Sequence, residues 1–267
     1  MSIRNLVRIL APRSVVVIGA SSRARAVGHL ALANMRAAGF AGTLMAVNAH
    51  ETEIDGMRVF PDVAALPEAP DLAIIATPPD TVPGLIGALA LRGCAGAVVI
   101  TAGFGEGGSA KGEERRQAML DAARPALLRI VGPNCLGLLS PAAGVNASFS
   151  HVQARPGPIA CFTQSGAVAV ALLDWAAARG IGFRYLVSLG DMADVDFGDM
   201  LDFVAADPET KAVLLYVESI TSARKFLSAA RATARNKCHR GKIRPPSRRR
   251  RRRCVAYRGA RWIGCGL

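Results

Sequence analysis

Between Cys238 and Leu267 the 267-residue chain has no Asp and no Glu. Aromatic residues are scarce throughout, at 5% of the sequence, so Ala, Val and Leu must build the core; this suits helices packed closely on a sheet. Long apolar runs are missing too. No stretch reaches the roughly 18 to 20 residues of a membrane span. The opening MSIRNLVRILAPRSVVVIGA is broken by Arg8, Pro12 and Arg13, which argues against a secretory leader. Six cysteines are present, but none stands in a Cys-x-x-Cys or Cys/His metal spacing. Cys94, Cys135 and Cys161 are spread through the body, and Cys238, Cys254 and Cys265 fall near the end. The pattern implies reduced structural thiols, no metal site and a cytoplasmic setting.

The net charge of +13 suggests a nucleic-acid binder until its distribution is read. Eleven of the 33 Lys and Arg residues lie from Arg240 to Arg261, six of them in the unbroken run Arg248 to Arg253. The preceding body is therefore close to neutral and lacks a basic footprint. Nucleic-acid binding through the arginine tract remains an alternative function. It is confined to residues 238–267, which read as a basic, disordered tail.

Strand and helix patterns alternate before that tail. SVVVIGA, GTLMAVN, DLAIIATPP, AGAVVITAGF and LLRIVGPNCLG are short apolar runs bounded by turn residues, with helical patterns between them. Such alternation implies a parallel sheet with helices on both faces. Residues 141–157, rich in Ser, Pro and Gly, read as a linker. A second strand–helix series occupies 158–237 and stops where a further strand is expected. The fold class is thus α/β, with domains at 1–140 and 158–237.

Ligands of open parallel sheets bind at the carboxyl ends of the strands. Gly19, Ser21 and Ser22 follow the first strand, Asn48 the second, Thr77 and Pro78 the third, Thr101 the fourth and Asn134 the fifth. Any one of these loops alone reads better as an ordinary tight turn; five together reverse the balance and favour a phosphate-bearing ligand. A nicotinamide ligand fits poorly. Gly19 to Gly28 is not G-x-G-x-x-G, and Asn48 stands where a ribose-binding acid is wanted. In the second series Gln164, Ser165 and Gly166 open a helix, where an anion is favoured. The alternative for Ser165 is a plain N-cap. Glu218 ends a later strand at the same sheet edge. Asp191, Asp194, Asp196 and Asp199 suit helix capping better than a metal.

The ordered set VVVIGASS…VGH, DLAIIATPPDTVP, AVVITAGFGE, GPNCLG, FTQSGAVA, SLGDMADVDFGD and LLYVESI resembles the NDP-forming acyl-CoA synthetases. These acid–thiol ligases are of the ADP-forming acetate–CoA ligase type, related to the succinyl-CoA synthetase α subunit. The resemblance covers about residues 10 to 237. It implies a Rossmann-like CoA-binding domain with Gly19, Ser21, Ser22, Asn48, Thr77, Pro78, Thr101 and Asn134 near coenzyme A. It implies an incomplete flavodoxin-like domain in which Gln164, Ser165 and Gly166 cradle a phosphohistidine beside Glu218. The implied reaction joins a small carboxylic acid to CoA through an acyl phosphate. ATP or ADP with Mg is handled by an ATP-grasp domain or β subunit, in an oligomer. A CoA-binding regulatory module of a protein lysine acetyltransferase is the alternative. Two departures stand out: Asn48-Ala49-His50, where the family has Asn-Pro and a basic residue, and Asp191, where it has Asn.

The histidine motif is missing as well. Read one base later, the stretch after about Lys237 permits Ala-Thr-Val-Ala-Lys-Ser-Gly and then Ser-His-Thr-Gly-Ala, so the arginine tract reads as a frameshift product. As written, the chain is expected to be inactive alone.

Overall fold

The computed structural model describes residues 3–237; the tail and every expectation attached to it lie outside the described residues. Seven strands form the first sheet. In chain order they are β1 (Ser14–Ile18), β2 (Thr43–Val47), β3 (Glu53–Ile54), β4 (Met57–Phe60), β5 (Leu72–Ile75), β6 (Gly96–Val99) and β7 (Arg129–Val131). The spatial order is β3-β4-β2-β1-β5-β6-β7, parallel except for the β3–β4 hairpin. Every residue of β1, β5 and β6 is buried, as the continuous apolar runs require of a sheet covered on both faces. The covering helices are α1 (Leu6–Leu10), α2 (Val27–Ala37), α3 (Val82–Leu91) and α4 (Ala110–Ala123).

The second sheet has the order β12-β10-β11-β8-β9. Its strands are β8 (Gly137–Ser140), β9 (Val145–Ser148), β10 (Pro156–Thr163), β11 (Phe183–Ser188) and β12 (Ala212–Tyr216). Strands β10, β11 and β12 run parallel, while β8 pairs antiparallel with β11 and with β9. Helices α5 (Gly166–Ala177), α6 (Phe197–Ala206) and α7 (Ala223–Lys237) accompany them. Asp196 caps α6 in a reciprocal capping box with Asp199, as the acidic cluster suggested.

The stretch expected to be a linker over 141–157 is built differently. Residues 137–148 form the β8–β9 hairpin at the edge of the second sheet, so that sheet begins before residue 141. Polarity hid the hairpin in the sequence. Asn146 and Ser148 are buried, with Ser148 Oγ donating to Asn146 Oδ1 at 2.6 Å. Asn34 of α2 donates to the carbonyls of Ser148 and Ser150 at 2.8 and 2.7 Å, which ties the first unit to the second. Hydrogen-bonded in this way, the buried polar groups carry little penalty.

A second tie runs through charge. Arg129 on β7 reaches Asp194 at 2.8 Å and Asp199 at 3.0 Å, and Lys225 on α7 reaches Asp199 at 2.7 Å. Asp194, Asp196 and Asp199 of the acidic cluster are therefore structural, since Lys225 also reaches Asp196 at 2.9 Å. Among the described residues no group of three or more His, Cys, Asp or Glu could hold a metal ion, and no helix is long and apolar enough to cross a membrane.

Candidate functional site

The carboxyl edge of the first sheet carries the loops singled out in the sequence, in spatial order and bonded to one another. Gly19 N donates to Val47 O at 3.0 Å, and Asn48 Nδ2 donates to Ala20 O at 2.6 Å. Thr101 Oγ1 donates to Thr77 O at 2.7 Å, and Asn134 N donates to Thr101 O at 3.0 Å. Gly19, Ser21, Ser22, Asn48, Thr77, Pro78 and Thr101 thus form a continuous rim that ends at Asn134. Gly19 has φ +86°, and a Cβ on Gly28 would run into the Gly19 carbonyl oxygen. The start of α2 therefore lies directly on the β1 loop, the close approach that a phosphate-binding turn needs. Ser21 is buried, and its carbonyl meets His29 Nδ1 at 3.0 Å. Ser22 N donates to the Glu51 carboxylate at 3.0 Å, so an anionic group already sits on that amide. Bonding to Ser22 outweighs the opposing effect of desolvation and holds the Glu51 carboxyl below its ordinary range.

A cleft of about 660 Å³ opens where the two sheets' carboxyl edges meet. It brings together Asn134, Gln164, Ser165, Gly166 and Glu218, five of the residues chosen from sequence. Gly105, Glu106, Arg116, Gly190, Asp191 and Ser219 complete it. Gly190 is required here, because a Cβ would strike the Pro133 carbonyl oxygen where the β11 loop crosses the β7 loop.

Each chosen residue has a defined local role. Ser165 is the N-cap of α5, its Oγ accepting from Val168 N at 3.3 Å. The first-turn amides of Gly166 and Ala167 have no intrahelical acceptor, and the helix dipole favours negative charge there. The Gln164 side chain is engaged with the β12 loop: its Oε1 accepts from Glu218 N and Ser219 N, at 2.7 and 2.8 Å. Asn134 adopts φ +55° and donates to Asp191 Oδ1 at 3.4 Å.

Glu106 and Arg116 were not foreseen. Glu106 closes the motif AVVITAGFGE but carried no assigned role, and nothing in the helical pattern of α4 marks Arg116. Burial first, then the Glu106 carboxylate, pushes Asp191 up to about 6. Burial would also raise Glu106, but the amides of Glu106, Gly103 and Phe104 outweigh it and hold the carboxyl low. The two acids therefore share a proton near pH 6. Arg116 is the one cation among the residues lining the cleft.

The remaining nucleophile candidates stand away from the cleft. His151 pairs with Asp174 at 3.0 Å, and His29 is bound to the β1 loop. Cys94, Cys135 and Cys161 are buried, and burial pushes each thiol up to about 12, as expected of inert structural cysteines.

The architecture defines an α/β protein that presents small-residue loops and a helix start at the carboxyl edges of two parallel sheets. Comparison with known proteins makes the class specific. Residues 13–141 match the family described as CoA binding domain, and residues 156–238 match the succinyl-CoA ligase like flavodoxin domain. The chain is 40% identical over 230 residues to an ADP-forming acetate–CoA ligase I of Archaeoglobus fulgidus, a match covering 86% of this chain and 33% of the relative. It is 35% identical to the α subunit of acetate–CoA ligase (ADP-forming) I of Pyrococcus furiosus, covering 85% of this chain and 50% of that subunit. Among solved structures, the dinucleotide forming acetyl-coenzyme A synthetase 1 of Ca. Korarchaeum cryptofilum, in complex with phosphate and ADP, superposes with TM-score 0.81 at 34% identity. That match covers 86% of this chain and 49% of the other. The chain carries a CoA-binding domain followed by a succinyl-CoA ligase like flavodoxin domain, and over most of its length it is homologous to ADP-forming acetate–CoA ligases. It spans between a third and a half of the length of these relatives.

Proposed function

We propose that this chain is the CoA-binding part of an acid–thiol ligase that forms acyl-CoA from a carboxylic acid, CoA and ATP, with release of ADP and phosphate. One observation carries the reading: Asn134 from the CoA-binding unit meets Ser165, Gly166 and Glu218 from the ligase-like unit in a single cleft. The rim from Gly19 to Thr101 fits a phosphate-bearing ligand because Gly19 and Gly28 leave no room for side chains beneath the β1 loop. Ser21, Asn48, Thr77, Pro78 and Thr101 would hold CoA there, Ser22 would join them on exchanging the Glu51 carboxylate for a phosphate oxygen, and bound CoA supplies a thiol.

In this reading the residues of the cleft orient a phosphoryl group. The amides of Gly166 and Ala167 face its oxygens, and the α5 dipole offsets their charge. Glu218, fixed by Gln164, holds the ring N–H of a carrier histidine and so sets the tautomer that presents the other ring nitrogen. None of His29, His50 and His151 lines the cleft, so that histidine comes from outside the described residues. The nucleotide and its Mg arrive with an ATP-grasp region, in the same polypeptide or as a β subunit.

The test is direct. The chain alone, with acetyl-CoA, phosphate and ADP, is expected to give no ATP and no acid-labile phosphoprotein. Adding the histidine segment and an ATP-grasp partner restores acyl-CoA formation from acid, ATP and CoA. ATP synthesis by the chain alone would overturn this assignment.

A further inference from the structure

Beside the anion cleft lies a cavity of about 300 Å³ with a different lining. Ile100, Cys135, Leu136, Phe149, Ala167 and Val170 supply apolar walls. Cys135 and Leu136 are buried beneath it, while Ile100, Phe149 and Val170 are half-buried. Ala167 and Val170 stand three residues apart on α5 and so share a face. Asn134 and Gly166 line both this cavity and the cleft, so the apolar space begins where the anion site ends. Gly166 packs against Leu136 at the junction of the two spaces; a Cβ there would make an ordinary contact, 3.5 Å from the Leu136 side chain.

Resting on the ligase reading, we propose that this cavity holds the hydrocarbon part of the carboxylic acid substrate. It selects an acid with several carbons or an aromatic ring over acetate. An acid whose carboxylate or acyl phosphate sits at the first turn of α5 directs its tail past Gly166 into this space. A volume of about 300 Å³ corresponds to roughly ten water volumes of about 30 Å³ each, far more than a methyl group fills. The wall chemistry also argues against the pantetheine arm of CoA. Asn134 is the one polar side chain in the lining, so two buried amides would lack partners there. Cys135 is part of the neutral wall, since burial holds its thiol protonated.

The experiment measures binding of inorganic phosphate and of methyl-, butyl-, hexyl- and benzylphosphonate to the full chain. Each added methylene is expected to tighten binding roughly threefold until the cavity fills. Val170→Trp, which fills the cavity, should weaken hexylphosphonate at least tenfold and leave methylphosphonate within twofold. Phe149→Ala serves as a second variant, expected to shift the preference towards bulkier tails. Phosphate binding with no dependence on chain length overturns this inference alone. Loss of CoA binding together with hexylphosphonate in Val170→Trp also overturns it, by giving the cavity to the thiol arm. Failure of phosphate and every phosphonate to bind would remove the ligase reading as well.

Discussion

Gln164 holds Glu218 in place by its backbone: Gln164 Oε1 accepts from the amides of Glu218 and Ser219, and Gln164 Nε2 donates to Ser219 Oγ at 2.9 Å. One side chain at the end of β10 thereby fixes the loop after β12. Each such bond contributes about 0.5–1.5 kcal/mol when buried, and less at this half-open site. Gln164→Ala should cost about 1–2 kcal/mol in all and speed amide exchange at Glu218 and Ser219. Unchanged exchange at those two amides would show that the loop holds itself.

Asp191 makes stability depend on pH. Its carboxyl is raised from 3.8 to about 6 in the folded chain, by burial first and then by Glu106. The folded state therefore binds more protons than the unfolded state between those values, and the stability gained is lost as pH rises through 6. Asp191 is partly exposed, so solvent screening reduces the effect to about 1 kcal/mol. Urea titrations near pH 4.5 and 7.5 should show Asp191→Asn gaining that much on wild type at the higher pH. Parallel profiles would contradict the shared proton. Phosphate affinity should fall over the same range, because the cleft then gains a negative charge.

Arg129 links the two units through Asp194 and the buried Asp199. Removing one partner strands a carboxylate away from water, the costly way to break such a pair. Arg129→Met should lower stability by about 3 kcal/mol, and Arg129→Lys by less, because a point charge meets only one acid well. A shift in urea midpoint under about a third of that size would mean that Lys225 alone neutralises Asp199.

Among the described residues β12 pairs only with β10, and Tyr216 and Val217 at its end are exposed. Edge strands with one partner open more readily than central ones. Amides of β12 should exchange faster than those of β1, which is paired on both sides. Equal protection would show that β12 is covered on its outer side.

Most of both sheets was legible because buried parallel strands are continuous apolar runs and the loops after them are rich in Gly, Ser and Asn. Two hairpins were not. Glu53–Ile54 and Met57–Phe60 are too short and too mixed to show a period, and only the Asp55-Gly56 turn signals them. Strand β9 reads Val-Asn-Ala-Ser, and its burial is decided by contact with α2, which no local pattern reports. In the cleft, residues on strand-end motifs were found, whereas Arg116 was missed because it reaches the site from mid-helix. Asp191 was noticed as one acid of four; its pairing with Glu106 depends on two loops about 85 residues apart in the chain.

In the proposed ligase, the first unit takes coenzyme A and presents it to the cleft at Asn134. Titration calorimetry of the chain with CoA and with NAD tests it most directly, alongside Asn134→Gly, which removes the side chain but keeps the positive φ without strain. Saturable one-to-one binding of CoA is expected, with no comparable heat from NAD and several-fold weaker CoA binding by a variant that unfolds at the same urea concentration. Tighter binding of NAD than of CoA, or no CoA binding by a folded chain, would contradict it.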